Sequence, residues 1–390
     1  MDGKFPPFVR LIRHTWSHWL LWHFKVSLKT EPEVDLNAGP FILFSNHCGT
    51  YDPLIISSVL PVHIRWITGA YLFKTRFLRF LFEKLIGCIP KQQGQSDFDT
   101  VRKIMRCLKA RDNVGIFPEG TRTWDGNMVP YNAKVLAKML RMFKVPAVFC
   151  SLEGCFASQP RWADSHRKGM GICVHLTHMI SLEEITTLSV SEIQQRISDY
   201  LDFSNDRWKS ENPYRITSQH RAEGIQRMFY MCPVCHRIGS IVSAGNSVKC
   251  STCGAKAQIT ETDDIKSENI EFTSMPQWHT WEASEMSSGI CFKKEHGVLL
   301  QTGNSDDTGR LKTLSKNFTV KLQHRTLCIR YRRTVIVLPF KKITSFVINT
   351  KFTMEFFCGD VLYRMRLDRN LSPLKYQEYY FAFKAEKGEK

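Results

Sequence analysis

The chain has 390 residues, 54 Lys+Arg against 37 Asp+Glu, a formal net charge of +17 and 43% hydrophobic residues. That apolar content excludes a disordered chain, and the length predicts two or three domains. No run reaches the roughly 18 consecutive apolar residues of a spanning helix, and Trp, His and Arg break up the N-terminal stretch where a signal peptide would be continuously apolar.

Residues 1–29 read as an amphipathic helix. Phe8, Leu11, Ile12, Trp16, Trp19, Leu20 and Phe24 recur at helical steps, with Arg10, Arg13, His14, His18 and Lys25 between them. This is the pattern of a helix lying in a membrane interface, and also of a surface helix packed on its own domain. Phe41 to Phe44 predict a short buried strand, and Asp52-Pro53 predict a helix start with Asp52 as N-cap. A helix is expected over 97–111 from a cap at Ser96, and another over Ala133–Phe143. Further strands are expected at 114–117, 145–152 and 171–176. The alternation predicts an α/β domain, a mixed sheet flanked by helices, over 30–225. Residues 226–260 carry paired cysteines, 261–314 an acidic linker, and 315–390 a basic, mostly antiparallel β domain ending in a helix at Pro373–Phe383. Residues 1–30 carry +4 and 310–390 carry +12, whereas 255–309 carry −6. Basic ends attract anionic lipid or nucleic acid.

Two loops carry chemistry. Asn46-His47-Cys48-Gly49-Thr50-Tyr51-Asp52 follows the first strand. An Asp that accepts from one imidazole nitrogen fixes the tautomer and leaves the other nitrogen as a base. Alone, Asp52 is equally a helix cap and His47 a loop histidine. Phe117-Pro118-Glu119-Gly120-Thr121-Arg122 follows another strand. There Gly120 permits close backbone approach, Thr121 offers a hydroxyl and Arg122 a fork suited to phosphate.

Together NHCGTYD and FPEGTR resemble the glycerophospholipid acyltransferase family, the PlsC-like enzymes that include 1-acyl-sn-glycerol-3-phosphate acyltransferase. The resemblance covers residues 30–225. Thr68 to Lys74 with Ile89-Pro90-Lys91 is similar to the family's second block, with Lys91 standing where Arg is usual. Val145 to Gly154 is similar to the fourth. The resemblance implies acyl transfer with no covalent enzyme intermediate. His47 would be the base, Asp52 its partner, and Glu119, Gly120, Thr121, Arg122, Lys91 and Lys74 the substrate-binding residues. The donor would be acyl-CoA or acyl carrier protein and the acceptor a lysophospholipid, foremost 1-acyl-sn-glycerol-3-phosphate. A peripheral position on the cytoplasmic face of a membrane is expected.

The odd count of 13 cysteines points to a reducing compartment. Four of them, Cys232, Cys235, Cys250 and Cys253, form two CxxC pairs 14 residues apart. This spacing predicts a zinc ribbon with a closed, structural four-thiolate site. The β domain resembles a pleckstrin-homology-like or GRAM-like module. A zinc-ribbon nucleic-acid binder and an inactive lipid-binding scaffold are the competing readings. Between Cys232 and Cys253 the ribbon holds only Arg237 and Lys249 as Lys or Arg residues, so no nucleic-acid partner is expected.

Overall fold

The computed structural model describes residues 5–69, 73, 75–91, 98–287, 289–304 and 311–388. The chain divides into two compact units, 1–161 with 166–215, and 162–165 with 216–390.

In the first unit, α1 (Pro7–Ile12), a π turn (Arg13–Ser17) and α2 (His18–Phe24) lead to β1 (Ser27–Thr30), β2 (Ile42–Ser45), α3 (Asp52–Val59) and β3 (Ile64–Gly69). Next come α4 (Arg76–Arg79) with its π-helical extension Phe80–Ile86, β4 (Ile89–Lys91), α5 (Phe98–Lys109), β5 (Asn113–Ile116) and α6 (Ala133–Phe143). The unit closes with β6 (Ala147–Glu153), α7 (Cys155–Ser158), β7 (Cys173–Ile180), α8 (Leu182–Thr187), α9 (Val190–Tyr200) and α10 (Asn205–Glu211). The sheet order is β1-β7-β6-β2-β5-β3-β4. β2 runs parallel to both its neighbours, β5 and β6, whereas β6 and β7 are antiparallel. This is the expected mixed sheet.

Local chemistry explains the elements. β2 is buried along its whole length, as a central parallel strand must be. Asn132 caps α6 through the Val135 N–H at 3.0 Å, and Lys144 in the left-handed region ends it. Ser189 and Glu192 form a capping box for α9. Ile42 and Phe44 of β2 join Ile104, Leu108, Ala137, Leu140, Ile193 and Ile197 in one core between the sheet and helices α5, α6 and α9.

The N-terminal segment departs from the single apolar face expected. Phe5, Val9, Leu20 and Phe24 are buried, while Leu11, Trp19 and Trp22 are exposed beside His14, His18 and Lys25. Arg13, expected on the polar side, turns inward and donates to the Ser57 and Leu60 carbonyls at the end of α3. The helix packs on its own unit along one side and leaves a mixed aromatic and basic side outward.

In the second unit, β8 (Ile241–Ala244), β9 (Ser247–Cys250), β10 (Lys256–Ile259) and β11 (Ile265–Lys266) make a small antiparallel sheet. The stretch expected as an acidic linker, 261–314, instead carries α11 (Met275–Ser284), β12 (Phe292–Asn304) and the start of β13 (Lys312–Ser315). The charged residues that suggest a linker are partly neutralised by contacts: Glu282 is buried and accepts the Tyr230 and Met231 N–H groups, and Glu295 pairs with Lys375 and Tyr376. The remaining strands are β14 (Phe318–Gln323), β15 (Thr326–Tyr331), β16 (Thr334–Pro339), β17 (Ile343–Thr350), β18 (Thr353–Cys358) and β19 (Val361–Leu367), closed by α12 (Leu374–Glu386). All their pairings are antiparallel, in the order β16-β15-β14-β12-β19-β18-β17, with β13 on β12.

Candidate functional site

β2 and β5 are adjacent and parallel, so the loops that follow them leave the same edge of the sheet. Clefts at the carboxyl ends of such strands are the usual ligand sites of open α/β sheets. His47 begins the first loop. Its Nδ1 lies 2.8 Å from Asp52 Oδ2. The carboxylate only accepts, so Nδ1 carries the proton and Nε2 the lone pair.

Asp52 is the first residue of α3 and its side chain caps nothing there, contrary to the N-cap expected. The carboxylate turns back into the loop. It accepts the Cys48 N–H at 2.7 Å, the Gly49 N–H at 2.9 Å and the Cys155 thiol at 3.2 Å, besides the imidazole. Those donors stabilise a charge that is fully buried. A Cβ on Gly49 would stand 2.9 Å from Asp52 Oδ1, so only glycine lets the backbone come this close.

The second loop supports the first. The Glu119 carboxylate accepts the His47 N–H at 2.6 Å and the Val129 N–H at 2.7 Å. Both oxygens therefore bind backbone, and Glu119 acts as a brace between loops. Burial drives its carboxyl well above the ordinary range, against the two N–H groups. Thr123 N–H donates to the His47 carbonyl at 2.9 Å. Phe117 stacks on the His47 ring at 4.2 Å and on Trp66 at 4.8 Å, fixing the imidazole plane. Burial pushes the His47 imidazole below the ordinary histidine value; Asp52 opposes this, and the Arg122 and Arg161 charges lower it further. The lowered value favours the neutral ring.

Arg122 Nη1 donates to Thr50 Oγ1 at 2.7 Å and so joins the two loops. Gly120 has φ +64 and nothing within 4 Å of where a Cβ would stand, which leaves open space beside Arg122. Thr121 Oγ1 accepts from Arg161, which also donates to the Arg122 carbonyl and lies over Trp124. Lys91 ends β4, exposed, three strands from β2 and so about 14 Å away in the ladder direction. The structure does not place it in hydrogen-bonding contact with the His47 loop. Lys74 lies outside the described residues. Arg161 and Cys155 carry no signal in the sequence, because they come from a segment more than 100 residues after His47; Phe117 stands in the FPEGTR motif, but nothing local shows that its ring stacks on His47.

In the second unit the Sγ atoms of Cys232 and Cys253, and of Cys235 and Cys250, are each 3.7 Å apart, and all four ligand atoms lie within 4.8 Å of one another. A tetrahedron with metal–sulfur bonds of about 2.3 Å has edges of about 3.8 Å. The four thiols thus fit a zinc ion. His236 stands outside the cluster, 3.5 Å from Glu285. The Thr252 N–H points at Cys250 Sγ at 3.4 Å, a second-layer bond of the kind that steadies thiolate ligands.

Residues 26–152, which hold both loops, match the protein family described as Acyltransferase. The chain is 26% identical over 110 residues to 1-acyl-sn-glycerol-3-phosphate acyltransferase of Bacillus subtilis (strain 168), covering 28% of this chain and 55% of that protein. It is 25% identical over 183 residues to 1-acyl-sn-glycerol-3-phosphate acyltransferase of Saccharomyces cerevisiae, covering 45% of this chain and 59% of that protein. The crystal structure of the 1-acyl-sn-glycerophosphate acyltransferase PlsC from Thermotoga maritima aligns with a TM-score of 0.42 at 14% identity, over 53% of this chain and 80% of that one. The chain thus spans a little over half the length of the two curated relatives it matches.

Proposed function

We propose, from the match of residues 26–152 to the Acyltransferase family, that the chain transfers a fatty acyl group from a thioester to the free hydroxyl of a lysophospholipid, foremost 1-acyl-sn-glycerol-3-phosphate, to give phosphatidic acid. The observation that carries the reading is the His47–Asp52 pair at 2.8 Å, joined through Thr50 to Arg122 across two parallel strand ends. His47 Nε2 takes the acceptor's hydroxyl proton. The oxygen attacks the thioester carbonyl, and the C–S bond breaks as the new ester C–O bond stays. The leaving thiolate, of coenzyme A or of acyl carrier protein, takes the proton back from the imidazolium. Asp52 orients the ring and stabilises its charged form. Arg122, beside the open space at Gly120, binds the acceptor phosphate, with Lys91 as an outlying cation and Lys74 as a further basic contact; Thr121 and Glu119 hold this loop in place.

The acceptor is a lipid, so the chain works at a membrane surface on its cytoplasmic face. Among the described residues no helix is long and apolar enough to span one. The exposed Leu11, Trp19 and Trp22 with Lys25 support contact through the N-terminal helices. Zinc in the four-cysteine site is structural, since four thiolates leave no open position.

The test is release of free thiol from acyl-CoA, and separately from acyl carrier protein, with and without lysophosphatidic acid. Acceptor-dependent release should fall by roughly 10²–10⁴-fold in His47→Ala. Release unaffected by that substitution would sink the reading.

A further inference from the structure

The helical segment Arg76–Ile86 sits between β3 and β4 and reads Arg-Phe-Leu-Arg-Phe-Leu-Phe-Glu-Lys-Leu-Ile. Seven of its eleven residues are apolar, yet none is buried. A helix on a globular domain normally turns such an apolar stripe to the core. Here Phe77 is 71% exposed and Phe80 54% exposed. Phe82 alone among these rings has an aromatic partner within the described residues, Phe73 at 5.9 Å. The exposed residues around the two phenylalanines are Arg76, Arg79 and Lys84, with Glu83 the single acid of the segment. Helix α1 packs against this segment and exposes Leu11. Exposed aromatics interleaved with cations, and almost no acid, are complementary to an anionic lipid surface: rings enter the acyl boundary while guanidinium and ammonium groups stay with the phosphates.

We propose that Arg76–Ile86 is a lipid-docking element in its own right, seating Phe77 and Phe80 in an anionic bilayer interface with Arg76, Arg79 and Lys84 on lipid phosphates. This rests on the reading of the chain as an enzyme of a bilayer-borne acceptor, and it extends that reading beyond the N-terminal helices. The placement has a consequence for the site. Lys91 lies five residues beyond Ile86, at the end of the strand that the segment leads into. Docking the segment therefore brings that cation to headgroup depth, where the acceptor phosphate lies.

The test uses the full chain and sedimentation with vesicles of phosphatidylethanolamine and phosphatidylglycerol, and with vesicles of phosphatidylcholine alone. Phe77→Ser/Phe80→Ser should lose roughly tenfold or more in partition, since two buried rings are withdrawn from the interface. Arg76→Gln/Arg79→Gln/Lys84→Gln should lose binding to the anionic vesicles only, and with it most of the salt dependence. Both variants should keep wild-type thiol release with a detergent-dispersed acceptor. Amide hydrogen exchange of the unmodified chain supplies a readout independent of how the variants fold: 76–86 should gain protection when anionic vesicles are added. Unchanged partition of the phenylalanine variant, or no protection over 76–86, would overturn the proposal. So would a change of oligomeric state on substitution with vesicle binding intact, which would make a second copy the occupant. His47→Ala should bind vesicles as the unmodified chain does, so loss of docking and loss of chemistry are read separately.

Discussion

At the scale of single residues, the site turns on how one carboxylate uses its acceptors. Asp52 receives an imidazole and two backbone N–H groups from the loop it closes, and a thiol from Cys155 at the start of α7. The His47 that it orients is pushed by burial below the ordinary value of about 6.5. A base works only when neutral, so a lowered value moves the acid limb of the rate profile to lower pH. The kcat/KM of thiol release should therefore hold flat from neutral pH down past 6.5 and fall only below it. In Asp52→Asn the stabilising charge is gone, which moves the limb lower still and cuts the plateau by roughly 10²–10⁴-fold. A limb at or above 6.5 in the unmodified chain would contradict this. His47 and Asp52 were legible as a pair from their spacing, but the sequence equally allowed Asp52 to cap α3, and the cap is the half that the fold rejects.

Elements set the distances between those residues. The loop from β2 to α3 is short, and its tightness depends on Gly49, where a Cβ would stand 2.9 Å from Asp52 Oδ1 and 3.2 Å from Gln159 Oε1. Gly49→Ala must displace the carboxylate or the backbone. Activity should drop roughly 10²-fold, the cost of misplacing a reacting group by about an ångström. Circular dichroism should stay unchanged, and an unaltered kcat/KM would show that the loop has slack. Strands β2, β5 and β6 were readable as short apolar runs between turn residues. Strands β1 and β4 were not. β1 is an exposed edge strand and β4 has three residues, so neither shows the periodicity of a half-buried strand. The long β12 was hidden for a different reason: its charges are satisfied by partners distant in the chain, such as Lys375 for Glu295.

At the scale of the whole molecule, two conditions should unsettle the two units separately. On the zinc reading, a chelator or Cys235→Ser should loosen the small sheet around β8–β10, because the metal tie between the Cys232–Cys235 and Cys250–Cys253 pairs is lost. The readout is metal content, expected near one zinc per chain, together with loss of protection over 230–260; full structure after complete chelation would refute it. In the first unit, burial lowers His63 and His166 to about 4. Native histidines with lowered values bind fewer protons than the unfolded chain does. Stability is then complete above the unfolded value of about 6.5 and is lost as pH falls toward about 4. Melting temperature should decline across that window, and His63→Asn/His166→Asn should flatten the decline.

What the sequence determined by itself was chemical type and local order. The motifs after two strands marked the His47–Asp52 pair and an arginine, the CxxC spacing marked a four-cysteine cluster, and alternating apolar runs marked an α/β unit followed by a β unit. These are readable because each depends on residues within a few positions of one another. Tertiary structure alone decided which groups meet across long stretches of chain. It bound Glu119 to the His47 backbone, brought the Cys155 thiol onto Asp52 and laid Arg161 behind Arg122. It also turned Arg13 inward and left Phe77 and Phe80 outward. The physical reason is that burial and hydrogen-bond satisfaction are set by the whole surrounding packing, which no short window of sequence contains.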